Sequence, residues 1–288
     1  MKDQLLDLSA ELDLITITQA VTYALNEDIG SGDLTSDLID KSATVKAEVK
    51  VREACVLCGI PWFSEVFQQL GGIKTIKWHY ADGDTVPTNS VICTLLGSAR
   101  SLLTGERTAL NLLQLLSSTA TTTKVYVDAV KGSDTKILDT RKTIPGLRAA
   151  QKYAVLCGGG NNHRQGLFDA FLIKENHISS CGGIRTAVTA ARKKNPSVLL
   201  EIEVETLDEL SIALTSDADR ILLDNFSIEK IQEAVLKRDA CAPHIKLEAS
   251  GSIDLKKIKA LAKTKVDYIS IGALTKNVKA IDFSMRIL

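Results

Sequence analysis

Between Asp139 and His177 the chain gathers Arg141, Lys142, Arg148, Lys152, His163, Arg164, Lys174 and His177, opposed only by Asp139, Asp169 and Glu175. The chain as a whole is neutral, 35 Lys and Arg against 35 Asp and Glu, so the excess is local. Such an excess suits a small polyanion: arginine offers a planar fork that grips a carboxylate, lysine a compact charge for phosphate. A solvated basic face is the alternative reading. A second run, Glu201-Ile202-Glu203-Val204-Glu205, has the alternation of a strand, which puts three carboxylates on one face and two apolar residues on the other. Carboxylates that face an enclosed interior need a cation or a metal beside them, so this strand points to a polar, occupied mouth.

Glycines supply a third feature. Gly158-Gly159-Gly160 precedes Asn161-Asn162-His163-Arg164, while Ala249-Ser250-Gly251-Ser252 and Gly272-Ala273 each sit between a strand-like and a helix-like stretch. Backbone N–H groups at such turns can hold a phosphate, although each loop alone also reads as an ordinary tight turn. Neither the G-x-x-x-x-G-K-[ST] loop nor a sound G-x-G-x-x-G is present, which counts against a P-loop NTPase and a Rossmann dehydrogenase.

These residues need elements to hold them. Short apolar strands are expected at Lys136–Asp139, Phe171–Lys174, Leu199–Glu205, Arg220–Asp224, Ile245–Glu248 and Tyr268–Ile271, several followed by helical spacing such as Ile184, Val188, Ala191 or Ile228, Ile231, Val235. Alternating strand and helix implies a parallel sheet, and Asp139, Lys174, Glu203, Asp224, Ser250 and Gly272 at successive strand ends favour a β/α barrel with its chemistry on one rim. Residues 1–104 read differently. A helical start (Ile17, Val21, Ala24, Leu25) precedes alternating runs such as Val45–Val51, the pattern of a small sheet with helices on one side, and a further helix is expected from Glu106.

At 288 residues and 45% hydrophobic content the chain can bury its own core. Its neutrality argues against a nucleic-acid partner. No apolar run approaches a membrane span, and Met1–Leu14 is acidic and amphipathic, so a cytoplasmic protein is expected. Six scattered cysteines read as small hydrophobes rather than a disulfide framework, with Cys55 and Cys58 lacking a second ligand pair for zinc. His79 and His244 stand apart as surface histidines, and Trp62 and Trp78 read as core.

Asp139–Arg148, Gly158–Leu167 and Leu172–His177 together closely resemble the quinolinate phosphoribosyltransferase family. Glu27–Thr35, Gly105–Asn111, Leu223-Asp224-Asn225, Glu248–Gly251 and Ile271–Thr275 extend the resemblance over nearly the whole chain. It implies an N-terminal α/β sandwich domain, residues 1–112 with 278–288 returning to it, and an incomplete seven-stranded α/β barrel of the type II phosphoribosyltransferase kind, residues 113–277. It also implies a homodimer in which Arg107 reaches the partner's site. The implied reaction converts quinolinate and phosphoribosyl pyrophosphate to nicotinate mononucleotide, pyrophosphate and CO2, with Mg²⁺.

By the same resemblance Arg141, His163, Arg164 and Lys174, with Thr140 beside them, surround the two quinolinate carboxylates. Lys142, Glu203, Asp224, Ser250, Gly251 and Gly272 serve the phosphoribosyl pyrophosphate, and Glu203 and Asp224 face Mg²⁺ directly or through water. Lys174, Glu203 and Asp224 are the implied catalytic groups, the carboxylates stabilising an oxocarbenium-like ribose and Lys174 or His163 a carbanion left by decarboxylation. Two other readings stand beside this one: a related transferase for another anionic acceptor, against which the set of three arginines and a lysine speaks, and a non-catalytic anion binder, which gains nothing from carboxylates beside its ligand.

Overall fold

The computed structural model describes residues 14–288; the acidic segment read at Met1–Leu14 lies, apart from Leu14, outside the described residues. The chain forms two compact units. The first takes residues up to Lys124 with Thr143–Gly159 and Leu274–Leu288, and the second takes Val125–Lys142 with Gly160–Ala273.

In the first unit, β1 (Thr44–Val51), β3 (Ile73–Trp78) and β5 (Val91–Ser98) form an antiparallel sheet that the C-terminal strand Phe283–Ile287 completes beside β1. A separate two-stranded antiparallel sheet pairs β2 (Cys55–Val56) with β4 (Thr85–Val86). The alternation expected at Val45–Val51 is present, with Ala47, Val49 and Val51 buried. Helix α1 (Leu14–Ile29) buries Ile17, Val21 and Leu25, one stripe at helical spacing. Helix α2 (Ile60–Leu70) starts after Gly59, whose φ of 117° favours glycine, and carries Pro61 in its first turn; it buries Trp62, Phe63, Val66 and Phe67.

Helix α3 (Ala99–Ala129) begins seven residues before the expected start at Glu106 and runs without a break through Gly105. That glycine is a contact point rather than a turn: a Cβ there would lie 2.8 Å from Leu70 Cδ1 and Phe67 Cε1 of α2. The division expected between residues 112 and 113 therefore falls inside a continuous helix. Residues 143–159, expected in the barrel part, cluster with the first unit because helix α4 (Arg148–Cys157) inserts Ala150, Tyr153, Ala154 and Cys157 into its core. Tyr153 meets Trp62 at a tilt of 49°, ring centroids 5.6 Å apart, and donates its hydroxyl to Asp82 at 2.9 Å.

The second unit is a six-stranded parallel sheet of β6 (Lys136–Leu138), β7 (Phe171–Ile173), β8 (Leu200–Val204), β9 (Arg220–Asp224), β10 (Lys246–Ser250) and β11 (Tyr268–Ser270), in the order β6-β11-β10-β9-β8-β7. All six match expected strands. A seventh position exists as a single parallel bridge from Asn161 to Leu138, outside β6. Among the described residues no pairing joins Asn161 to β7, so the ring is open there. The helices between strands are capped by their own sequence: Thr206 and Glu209 form a reciprocal capping box for Leu207–Ala213, and Ser227 caps Ile228–Cys241.

The sheet must curl. His163, two residues past the Asn161 bridge, stands 2.8 Å from Glu201 on β8. Five strand spacings separate those positions, roughly 24 Å in a flat sheet. Only a barrel-like curl brings them together, and it brings every strand's C-terminal end to one rim.

Candidate active site

Residues in register on a parallel sheet face the same side, so Glu201 with Arg220 and Glu203 with Leu222 and Glu248 point one way, as do Asp224 and Ser250 one layer further up. Glu201 and Glu203 of the expected carboxylate face are both buried, whereas Glu205 lies beyond the strand and is exposed. The alternation held as long as the strand did.

On the cationic side the rim collects Arg141, Arg164 and Lys174 from the ends of three neighbouring strand positions. Lys174 Nζ lies 2.5 Å from Glu203 Oε2, joining β7 to β8. Arg164 donates Nη1 to the Ala170 carbonyl at 3.1 Å, and its buried Nε meets no acceptor among the described residues. Its ionisation is lowered first by burial and then by the charge of Arg141, with Glu201 and Asp169 acting the other way. The two guanidinium charges repel, and an anion between them would remove the repulsion.

On the opposite arc, Asp224 accepts from Asn225 Nδ2 at 2.8 Å. Asn225 has φ 56°, and its amide N–H donates to the Ser250 carbonyl at 3.0 Å, which ties the β9 and β10 ends together. Gly251 has φ 108°, and a Cβ there would collide with the Asn225 side chain, 2.8 Å from its Cγ. At Gly272 a Cβ would stand 3.0 Å from Lys142 Cδ and 3.5 Å from Thr140 Oγ1. The glycine lets these two approach the β11 end, and Thr140 Oγ1 accepts the Lys142 amide at 3.0 Å. The loops at Ser250–Gly251 and Gly272 thus leave backbone and lysine accessible on one side of the rim.

Beneath the rim lies a buried polar layer. His163 Nε2 stands 2.8 Å from Glu201 Oε2 and 3.5 Å from Glu248 Oε2, and Arg220 Nη1 is 3.1 Å from Glu248 Oε2. The Arg220 guanidinium also lies 4.3 Å over the Tyr268 ring. Neither Glu201 oxygen meets a well-aligned donor among the described residues. Burial, reinforced by Glu203, holds Glu201 protonated up to about 7, against the pull of Arg220 and Arg164. Glu248 is held protonated up to about 8 by burial and by the charge of Glu201, opposed by His163, Ser270 and Arg220. His163, Glu201 and Glu248 bring three ligand-type atoms within 4.8 Å. However, His163 Nδ1 accepts the Arg164 amide N–H at 2.7 Å, which leaves the ring proton on Nε2, so this trio is a protonated set rather than a metal cage.

Sequence reasoning placed Glu201 on the inward carboxylate face but missed Glu248, Arg220 and Tyr268 as site-supporting residues. Glu248 had a signal, an acid between two apolar residues of its strand, Leu247 and Ala249; Arg220 and Tyr268 had none, because their meeting depends on register. Arg107 is exposed on α3 in the first unit, where Arg148 and the buried Lys152 also lie. His177 caps the helix after β7, its Nδ1 accepting the Lys174 amide at 3.0 Å. Among the described residues no helix is long and apolar enough to cross a membrane.

Two family models match the chain: "Quinolinate phosphoribosyl transferase, N-terminal domain" over residues 33–117 and "Quinolinate phosphoribosyl transferase, C-terminal domain" over residues 119–286. The chain is 41% identical over 269 residues to a nicotinate-nucleotide pyrophosphorylase [carboxylating] of Mycobacterium leprae, covering 92% of this chain and 95% of that protein. A probable enzyme of the same name from Bacillus subtilis is 42% identical over 274 residues, covering 95% and 94%. The solved nicotinate-nucleotide pyrophosphorylase of Francisella tularensis superposes with a TM-score of 0.92 at 49% identity, covering 96% of this chain and 98% of that one.

Proposed function

Because the chain belongs to the quinolinate phosphoribosyltransferase family, we propose that it transfers the phosphoribosyl group of phosphoribosyl pyrophosphate to quinolinate and releases nicotinate mononucleotide, pyrophosphate and CO2, a step of NAD biosynthesis. The observation that carries this reading is a rim on which Arg141 lies near enough to act on the charge of Arg164 and Lys174 is bound to Glu203. A dianion answers the first cluster, and a sugar whose charge turns positive answers the second.

Arg141, Arg164 and Lys174, with Thr140, hold the two carboxylates and leave the pyridine nitrogen free to attack the ribose C1 carbon. The C1–O bond to pyrophosphate breaks as the C1–N bond forms. Glu203 and Asp224 stabilise the oxocarbenium-like ribose, while Lys142 and the Ser250–Gly251 and Gly272 loops receive phosphate. Departure of the C2 carboxylate as CO2 leaves its electron pair on C2, where the adjacent cationic ring nitrogen stabilises it by charge and Lys174 steadies the carbanion; the same pair then takes up a proton to form the C2–H bond. Glu203 and Asp224, two hard oxygen donors at the ends of neighbouring strands, fit hydrated Mg²⁺ directly or through water, where the ion would neutralise the departing pyrophosphate. A homodimer in which exposed Arg107 serves the partner's site completes the reading. The unpaired cysteines suit a reducing cytoplasm.

Incubation with phosphoribosyl pyrophosphate, Mg²⁺ and either quinolinate or nicotinate, following nucleotide and CO2, tests the proposal: product with quinolinate alone is expected, and turnover of nicotinate alone overturns it. Mixing Arg107→Ala with Glu203→Ala, each inactive, tests the shared site, since only a dimer with crossed contributions regains activity.

A further inference from the structure

His163 was expected among the groups that touch the acid, and the structure assigns it another task. We propose that His163 is a positioning residue that acts through Arg164: its imidazole is a buried pin that holds the Arg164 backbone and makes no contact with substrate. The inference rests on the reading of Arg164 as a carboxylate-binding residue. The His163 side chain is 7% exposed, and both ring nitrogens are engaged inside the protein. Nδ1 accepts the Arg164 amide N–H at 2.7 Å, and Nε2 stands against Glu201 and Glu248. An N–H that donates to Nδ1 requires a lone pair there, so the ring's proton is on Nε2, facing inward. No ring nitrogen is left for a ligand at the rim.

The pin has a second point of attachment. The His163 amide donates to Asp139 Oδ1 at 2.9 Å, and Asp139 is fully buried at the end of β6, two residues before Arg141. His163 thus clamps the segment carrying Arg164 to the strand end carrying Arg141. It also reaches across the open side of the sheet to β8 through Glu201. Residues that hold a binding group within a fraction of an ångström act on affinity for the group it binds and leave remote subsites alone.

A double-mutant cycle decides the matter. His163→Ala is expected to raise KM for quinolinate about tenfold, a loss of about 1.4 kcal/mol, with KM for phosphoribosyl pyrophosphate within about twofold of wild type. His163→Asn, which keeps a short acceptor and donor, is expected to recover most of the loss. His163→Ala combined with Arg164→Ala should be no worse than Arg164→Ala alone, because a residue that works through Arg164 has nothing left to position. If the double variant loses the full His163→Ala factor again, His163 acts on substrate directly and the proposal fails. On the unaltered protein, ¹⁵N NMR of the imidazole should show the Nε2–H tautomer with and without quinolinate; a proton moving to Nδ1 on binding overturns the proposal without any variant. Absence of quinolinate turnover by wild type would instead sink the proposed reaction, and the tautomer measurement would still stand.

Discussion

Replacing Gly251 by alanine tests the phosphate arc of the rim. Gly251 sits at φ 108°, where a side chain costs about 1–3 kcal/mol. The new Cβ would also displace the Asn225 side chain, whose Nδ2 donates to Asp224 Oδ2 at 2.8 Å. A hydrogen bond to a charged group is worth about 1.5–3 kcal/mol, toward the low end here because Asn225 is exposed. The sum is about 2–4 kcal/mol, and at about 2–4 °C per kcal/mol the melting temperature should fall by roughly 5–15 °C. With the loop displaced, affinity for phosphoribosyl pyrophosphate should drop at least tenfold by calorimetry, while quinolinate affinity stays within about twofold. Adding Asn225→Ala removes the collision with the side chain but leaves the Asp224 bond lost and puts a second alanine at a left-handed φ, 56°, so it should restore little of either the stability or the binding. A Gly251→Ala protein with wild-type melting temperature and wild-type affinity would refute the reasoning that this glycine exists to keep Asn225 on Asp224.

Lys174→Ala should lower kcat on the order of a hundredfold or more. Its cost in stability should be only about 1–2 kcal/mol by chemical denaturation, because Lys174 is 43% exposed and the ion pair is partly screened. Glu248→Gln should change the pH dependence of stability. The native carboxyl keeps its proton up to about 8, whereas the unfolded chain releases it near 4.5, so between those values the native state binds more protons and stability falls as pH rises. Removing this titration should make the decline shallower by on the order of 1 kcal/mol per pH unit in urea titrations from pH 5 to 8, and an unchanged slope would count against a protonated Glu248. Asp82→Ala should cost about 2–4 kcal/mol, since Asp82 Oδ1 accepts the Gly59 and Ile60 amides that open α2 and Oδ2 accepts the Tyr153 hydroxyl; Asp82→Asn, which keeps acceptors, should cost less than half as much in thermal melts.

The six parallel strands and the polar residues at their C-terminal ends were legible because both are local. A strand announces itself by apolar alternation, and its end by the first charged or glycine residue that breaks the run. Lys174, Glu203, Asp224, Ser250 and Gly272 were found by that rule, and the order of motifs named the family. Helix α3 was misplaced at its start because Gly105 reads locally as a break, whereas α2 needs that position bare to pack against it. That helix α4 packs into the core of the first unit was not legible, because its apolar face says that it is buried but not against what.

The sequence by itself determined which residues are strand ends, which carry charge, and which chemistry a dianion and a sugar diphosphate would draw from them. Only the tertiary structure decided that His163 faces inward, that Arg220 lies over Tyr268 against Glu248, and that Glu201 sits below the rim while Glu203 meets Lys174 at it. The reason is geometric. Strand periodicity encodes the side on which a residue falls, but the partner it meets there depends on the register of neighbouring strands and on the curl that brings the two ends of the sheet together.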